Sequence, residues 1–326
     1  MTFRREGLLI RIFFATDIHG SEICYKKFLN APKYYKVDVL ILGGDITGKF
    51  VVPLVRDGQI FKCRFMGEEW TLKSEEELKS LEQRIRDTGG YYFHVDKDGK
   101  KEYEENPEKL KEIFEQLMIQ RVRDWVNMAE ERLKELKVKV YVTGGNDDSY
   151  SVDKILRSSR TIIDPDGEVV ELGDDVEMIS LSQVNMTPWK CPRDVPDEEL
   201  GEKISELASK ARDIHKTIFN FHAPPYGSGL DVAPKLDASV TPPKVVTTQA
   251  GEVVLENVGS KSVREAIEGH QPMLGLHGHV HESRGVAKIG KTLCINPGSE
   301  YSEGLLRGVI VTLDKGKVKS YQFTSG

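Results

Sequence analysis

One stretch of the chain decides the fold class: LLIRIFFATDIHGS, residues 8–21. Its apolar, β-branched part at 8–15 is typical of a buried strand, and an amphipathic helical stretch follows at 21–35. Four more apolar runs end at turn residues, at 37–42, 138–142, 218–221 and 273–276. Helical periodicity returns between several of them, at 110–136, 198–213 and 260–268. Strands that alternate with helices indicate a layered α/β fold.

Antiparallel strands are predicted as well. The sequence alternates with period two at 161–172 around Asp166-Gly167, and again at 305–323 around Lys315-Gly316. The predicted fold class is therefore α/β, with mixed β-sheets that form a central sandwich flanked by helices. We expect a single domain over residues 1–326.

Residues 51–136 depart from this alternation and are predicted to form an inserted helical and hairpin subdomain. Two charged amphipathic helices are expected, separated by a hairpin at Asp98-Gly99; the first carries Leu78, Leu81 and Ile85 on one face. Such charge usually marks a solvated helix face, and the functional alternative is a cap over the neighbouring strand ends. Residues 223–258, rich in Pro, Gly, Ser and Thr, are predicted to form a long loop region.

Composition excludes several classes of protein. Of the 326 residues, 39% are hydrophobic and 30% are charged, a balance that suits neither a membrane-spanning nor a disordered chain. The 46 Lys and Arg against 52 Asp and Glu give a net charge of −6, which disfavours nucleic acid as a partner. Arg4 and Arg5 before an apolar run resemble a secretory signal, but Arg11 interrupts the run, so a first strand is favoured. The cysteines stand singly and predict a reducing, cytoplasmic setting: Cys24, Cys63, Cys191 and Cys294.

Polar side chains suited to metal binding follow each predicted strand. In an open α/β sheet these strand ends share one edge, where ligands bind. Seven oxygen and nitrogen donors without a thiolate suit Mn, Fe, Zn, Ni or Co and disfavour a structural zinc site. Each residue alone has an ordinary alternative, because a lone Asp often caps a helix and a lone His is often a satisfied polar neighbour. The seven candidates are Asp17, His19, Asp45, Asn146, His222, His279 and His281.

The order of these motifs resembles the calcineurin-like metallophosphoesterase family. The shared motifs are Asp17-x-His19, Gly44-Asp45, Gly145-Asn146, His222, Gly278-His279-Val280-His281 and, after the last of these, Asn296-Pro297-Gly298-Ser299. The resemblance implies two divalent transition-metal ions, with Mn expected first and Fe, Ni, Co or Zn as alternatives. By the same resemblance, one ion takes Asp17, His19, Asp45 and His281, and the other takes Asp45, Asn146, His222 and His279. Asp45 would bridge the two ions, which share a hydroxide that attacks a phosphoester.

One departure from the family concerns the acid step. Many members have a histidine after the asparagine, whereas this chain has Asp147, followed by Asp148 at the family's acidic position. Members that lack the histidine resemble phosphodiesterases more than monoesterases. We therefore expect a phosphodiesterase on small or nucleotide-derived diesters, with Asp147, Asp148 and His222 as candidate catalytic residues, Asp148 in an orienting role. The other histidines match no motif position and are expected at the surface or behind the ligands: His94, His215, His270 and His277.

Residues 43–50, GGDITGKF, also match the opening of a phosphate-binding loop. The match fails where Phe50 replaces the Ser or Thr that holds magnesium, and Pro53 is unsuited to the helix that should follow. Asp45 as a metal ligand explains the same residues better.

Three functions remain open at this point: a hydrolase of small phosphodiesters, a nuclease of the same superfamily, and a non-catalytic scaffold like the retromer subunit that shares the fold. The expected partner is a small phosphoester substrate. No membrane partner is expected, and homo-oligomerisation is left open.

Overall fold

The computed structural model describes residues 9–173 and 175–326; Arg4, Arg5 and the first residue of the run at 8–15 lie outside the described residues. The described helices are α1 (Glu22–Tyr35), α2 (Glu75–Asp87), α3 (Lys97–Glu105), α4 (Pro107–Leu133), α5 (Ser151–Leu156), α6 (Asp197–Lys210) and α7 (Lys261–His270). The described strands are β1 (Ile10–Ala15), β2 (Val39–Gly43), β3 (Val51–Asp57), β4 (Ile60–Phe65), β5 (Glu68–Leu72), β6 (Tyr91–Val95), β7 (Lys139–Thr143), β8 (Ile162–Ile163), β9 (Val169–Gly173), β10 (Val176–Leu181), β11 (Val184–Asn185), β12 (Asp194–Val195), β13 (Thr217–Phe221), β14 (Val232–Pro234), β15 (Leu236–Asp237), β16 (Lys244–Val245), β17 (Leu255–Asn257), β18 (Leu274–Leu276), β19 (Gly285–Ile289), β20 (Thr292–Asn296), β21 (Arg307–Asp314) and β22 (Lys317–Ser325).

Two six-stranded mixed sheets form the body. The first has the order β22-β21-β1-β2-β7-β8, in which β1, β2, β7 and β8 are parallel and β21 and β22 are antiparallel to their neighbours. The second has the order β19-β20-β18-β13-β10-β9, with parallel strands in the centre and an antiparallel strand at each edge. This arrangement confirms the predicted fold class.

The sheets pack face to face because side chains alternate along each strand. On β1, Phe14 points into the cluster between the sheets, where it joins Ile41 of the first sheet and Ile218 of the second. Its neighbour Phe13 points the other way, into a cluster that α1 and α4 cover. A third cluster packs α6 and α7 on the outer face of the second sheet. The result is a sandwich with helices on both outer faces.

The turn at Asp166-Gly167 does not form the predicted hairpin. The chain enters it from β8, which pairs with β7 in the first sheet, and leaves it into β9, which pairs with β10 in the second. The Asp166 side chain accepts hydrogen bonds from the amide and hydroxyl of Ser182, at 2.8 and 2.7 Å, and so fixes the crossing between the sheets. The second predicted hairpin, around Lys315-Gly316, is confirmed as β21 and β22.

The segment at 51–136 contains more strands than the two helices and single hairpin predicted from the sequence. It contains a four-stranded sheet, β5-β4-β3-β6, with turns at Asp57-Gly58 and Met66-Gly67. The predicted apolar face of α2 is buried against this sheet. The hairpin expected at Asp98-Gly99 is wrong, because those residues lie in α3, where the Asp96 carboxylate accepts from the amide of Gly99 at 2.7 Å and caps the helix.

Helix α4 packs into the core of the body. Met118, Val122 and Trp125 lie in the same cluster as α1 and the first sheet. The Trp125 ring stacks on Tyr25 with a centroid distance of 4.1 Å. The predicted insertion over 51–136 therefore stays a prediction, and its last helix shares a core with the body.

Candidate metal centre

The polar residues predicted from the sequence meet at one edge of the sandwich. The loops after β1 and β2 are joined by backbone hydrogen bonds, since the amides of Asp17 and His19 donate to the carbonyls of Gly44 and Asp45, both at 2.9 Å. The second sheet contributes the loop after β18, where the amide of His279 donates to the Asp17 carboxylate at 3.1 Å. Both sheets thus supply side chains to the same place.

Four residues of this edge have an unfavourable backbone conformation. Asp17, His19, Asp45 and His279 have φ angles of 53°, 39°, 48° and 69°, in the left-handed region that side chains with a Cβ rarely adopt. Each such residue costs of order 1–2 kcal/mol. Strain of this kind persists where the surrounding structure imposes it, and its concentration here indicates a functional site.

Two groups of ligand atoms converge at the edge. The first consists of Asp17, His19 and His281: the two histidine Nε2 atoms are 3.0 Å apart, and His281 Nε2 is 3.3 Å from Asp17 Oδ1. The second consists of Asp45, His222 and His279. Asp45 lies between the groups, with Oδ2 at 3.7 Å from His19 Nε2 and 3.5 Å from His222 Nε2.

Asn146 faces the second group. Its Oδ1 lies 3.0 Å from Nδ1 of His279, and its Nδ2 donates to Asp194 Oδ1 at 3.1 Å. The contact with Asp194 fixes the orientation of the amide, so that the oxygen points towards the histidine. All seven predicted ligands are therefore brought together.

Burial and charge perturb the titration of these residues. Burial lowers the pKa of His19 to about 4. Burial also disfavours the charged form of His222, but Asp45 and Asp17 outweigh it and raise the pKa to about 9. For Asp17, the neighbouring histidines His222, His281 and His19 outweigh burial and hold the pKa far below its usual range.

The arrangement fits divalent cations. His222 Nε2 is buried without a hydrogen-bond partner, and it points at the carboxylates of Asp17 and Asp45. Two carboxylates and four imidazoles with no thiolate form a donor set that suits first-row transition metals. A cation in each group would satisfy the donor atoms that now face one another.

Asp147 lies at the opening of the site with both oxygens engaged. Oδ1 accepts from the Cys191 thiol at 2.8 Å, and Oδ2 is 2.5 Å from the ammonium of Lys49. Lys49 outweighs the effect of burial and lowers the pKa of Asp147 to about 2. Its backbone amide donates to Asp45 Oδ1 at 3.0 Å. Asp147 also lies within reach of His19 and Asp45, with which it forms a third group of potential ligands.

Asp148 is fully buried and faces backbone donors rather than the ligand groups. Its Oδ2 accepts from the amides of Ile46 and Gly145, at 3.0 and 2.7 Å. Its Oδ1 accepts from the amide and hydroxyl of Thr47, at 2.8 and 2.5 Å. The carboxylate therefore ties the loop that carries Asp45 to the loop that carries Asn146.

Sequence reasoning missed three residues that shape the site. Lys49 was noted only in the phosphate-loop motif, and Asp194 and Arg193 lie in a segment without a recognisable pattern. Arg193 is fully buried and donates to the carbonyl of Asp148 at 2.8 Å and to Asp153 at 2.6 Å. Its only sequence signal is a charged residue between two prolines, which is too weak to indicate a role.

The histidines outside the motifs lie away from the ligand groups. His94 and His215 are exposed, and His270 is half-buried at the end of α7. His277 is fully buried, with Nδ1 3.0 Å from the carbonyl oxygens of Phe221 and Ala223. It therefore supports the loop that bears His222 from behind. No phosphate-binding helix follows Gly48-Lys49, because strand β3 begins at Val51.

Fold and site together comprise two mixed sheets, flanking helices, and a histidine- and aspartate-rich cluster at the shared edge. Within that architecture, the chain is similar to TT1561 of Thermus thermophilus, at 12% identity and a TM-score of 0.52, over 98% of this chain and 99% of that one. It is similar, at lower TM-scores of 0.37 and 0.33, to an archaeal phosphodiesterase and to YfcE, a phosphoesterase from E. coli. Each of these two is 13% identical, and the matches cover 97% and 96% of this chain and 100% and 98% of theirs. The likeness to TT1561 concerns the fold alone.

In sequence, the chain is 29% identical over 171 residues to an uncharacterised protein of Methanocaldococcus jannaschii, across 51% of this chain and 68% of the relative. No family model matches the chain. Among the described residues, none of the helices combines the length and apolar character needed to cross a membrane.

Proposed function

We propose that the protein is a dinuclear metal-dependent phosphoesterase, and specifically a phosphodiesterase that acts on small or nucleotide-derived diesters. The observation that carries the proposal is the convergence of two ligand groups on either side of Asp45. Asp17, His19 and His281 would hold one ion, and Asn146, His222 and His279 would hold the other, with Asp45 shared. Manganese is the first metal to test, and iron, nickel, cobalt and zinc are the alternatives.

Two such ions, when bound, supply Lewis acidity and lower the pKa of water, so that phosphoester hydrolysis can proceed near neutral pH. The residues of the chain would then place the substrate. Lys49 is 46% exposed at the opening, and its ammonium has three donors, of which Asp147 takes one. The remaining donors can contact a non-bridging phosphate oxygen.

The preference for diesters rests on Asp147 in place of the family's histidine. A carboxylate paired with Lys49 carries no proton to donate at neutral pH, so the chain lacks the acid that the histidine would supply. A phosphomonoester brings two negative charges to this carboxylate and a diester brings one. Both features support a diester as the substrate.

The proposal is tested with Asp45→Asn, which removes the shared anion from between the two ion positions. Metal content is measured by elemental analysis. Hydrolysis is measured with Mn²⁺ on a panel of phosphomonoesters, phosphodiesters, cyclic nucleotides and single-stranded DNA. We expect the variant to lose most of its metal and activity, while Asp124→Asn, an exposed change on α4, retains both.

The panel also separates the alternatives. A wild-type protein that takes up none of the five metals and hydrolyses no ester would refute the proposal and favour a scaffold. Activity on single-stranded DNA above that on small diesters would favour a nuclease. The proposal further includes a cytoplasmic setting, which the free cysteines Cys24, Cys63, Cys191 and Cys294 support.

A further inference from the structure

One buried cation connects the inserted sheet to the candidate metal centre. Arg121 of α4 is 9% exposed, and no carboxylate of the described residues lies within ion-pair distance of its guanidinium. It donates instead to two backbone carbonyls, those of Gly20 at 2.8 Å and Gly90 at 3.2 Å. Burying a cation is costly unless it gains well-placed partners, and here the partners are two loops rather than an acid.

The two carbonyls belong to different parts of the molecule. Gly20 ends the loop after β1 that carries Asp17 and His19, and Gly90 directly precedes β6 of the inserted sheet. The guanidinium also lies over the ring of Tyr91, 5.2 Å from its centroid. The Tyr91 hydroxyl in turn accepts from the amide of Gly48 at 2.8 Å. Arg121 therefore reaches the loop after β1 directly and the loop after β2 through Tyr91.

The backbones at this junction are in close contact. A Cβ at Gly89 would overlap the carbonyl oxygen of His19, and one at Gly48 would overlap the carbonyl oxygen of Gly89. The hydroxyl of Ser21 donates to the carbonyl of Asp87 at 2.5 Å and adds a further tie. Such packing transmits a displacement of the insert to the His19 loop, because no side chain lies between them.

We propose that Arg121 is a positioning residue that locks the loop bearing Asp17 and His19 against the inserted sheet, so that the first ligand group is complete only when the insert is docked. The inference rests on the proposed metal centre. It assigns the insert a role in metal binding, in addition to any role as a cap. The second ligand group shares Asp45 with the first but draws His222 and His279 from the other sheet, and Arg121 does not contact the loops of these two histidines.

The test compares Arg121→Met, Arg121→Lys and a matched control, Arg123→Met, which makes the same change on an exposed face of the same helix. Bound Mn²⁺ is counted in a titration of each full-length protein. We expect Arg121→Met to lower the affinity for one of the two ions by about tenfold or more and to leave the affinity for the other within about twofold of the wild type. Arg121→Lys, which retains a charge but has fewer donors, should be intermediate, and Arg123→Met should match the wild type.

Hydrogen exchange gives a readout that does not require metal or activity. In Arg121→Met, the amides at 17–21 and 88–91 should exchange faster while the central strands β13 and β18 keep their protection. The proposal is overturned if the affinities for both ions fall equally and hydrogen exchange becomes faster throughout the protein, because these results would show a general loss of stability. Unchanged binding of both ions would overturn it as well. If the wild type binds none of the five metals, the proposed function fails, and the exchange pattern alone then decides whether Arg121 locks the loop.

Discussion

Replacing Asp148 with asparagine should destabilise the protein although the carboxylate does not face the ligand groups. The four hydrogen bonds of Asp148 are divided equally between its two carboxylate oxygens. An asparagine keeps one acceptor oxygen and replaces the other with an NH₂ group, which cannot accept, so two of the four hydrogen bonds are lost. Hydrogen bonds to a charged group contribute about 1.5–3 kcal/mol each, which gives a loss of about 3–6 kcal/mol. Contributions of neighbouring hydrogen bonds are not additive, and the buried cation of Arg193 also loses a nearby anion. We therefore expect the free energy of unfolding to fall by at least about 3 kcal/mol.

The loss is measured as the shift in the urea unfolding midpoint, followed by circular dichroism with and without Mn²⁺. The control is Asp57→Asn in the inserted sheet, whose carboxylate pairs with Lys62 and Lys97 at the surface and whose replacement should leave the midpoint unchanged. Weaker Mn²⁺ binding should accompany the instability, because Asp148 joins the loops that carry Asp45 and Asn146. If the free energy of unfolding falls by less than about 1 kcal/mol, water replaces the lost acceptor and the reasoning is refuted.

Two further predictions concern selectivity. Asp147→His removes a negative charge beside the substrate and supplies a hydrogen-bond donor. Repulsion between two unit charges 4 Å apart is of order 4 kcal/mol at an effective dielectric of about 20, before screening. The ratio of monoester to diester hydrolysis should rise more than tenfold at unchanged metal content, and a level or falling ratio would contradict the role assigned to Asp147. Replacing 51–106 by a short linker should change the relative rates of hydrolysis of small and large diesters and should weaken Mn²⁺ binding. If the relative rates stay the same across substrates of different size, the insert does not limit access to the site.

The strands and the convergence of the candidate ligands were predictable because each carries a local signal. The run at 8–15 is apolar except for Arg11 because most of β1 is buried on both faces, and the polar residues that follow it stand where parallel strands end. Asp17, His19 and Asp45 could be found in this way without knowledge of their neighbours. Their assignment to two ion sites came from the resemblance to the metallophosphoesterase family.

The remaining features depend on contacts that no local pattern records. Asp166-Gly167 has the sequence of a hairpin turn, but its strands pair with different partners, and pairing is decided by the sheets. Asp98-Gly99 likewise reads as a turn, yet capping by Asp96 places it in a helix. The charge of Lys49 gave no sign that it would meet Asp147, because the two lie on separate loops brought together by β2 and β7.

The pairing of β1 with β21 has a consequence for how the protein is made. Ile10 lies opposite Leu313, so these partners are about 300 residues apart in the chain. During synthesis, one side of β1 has no strand to pair with until about 300 further residues have left the ribosome. The nascent protein carries an open, apolar strand edge while those residues are made, and this edge is the place where chaperones would act and where premature association would begin.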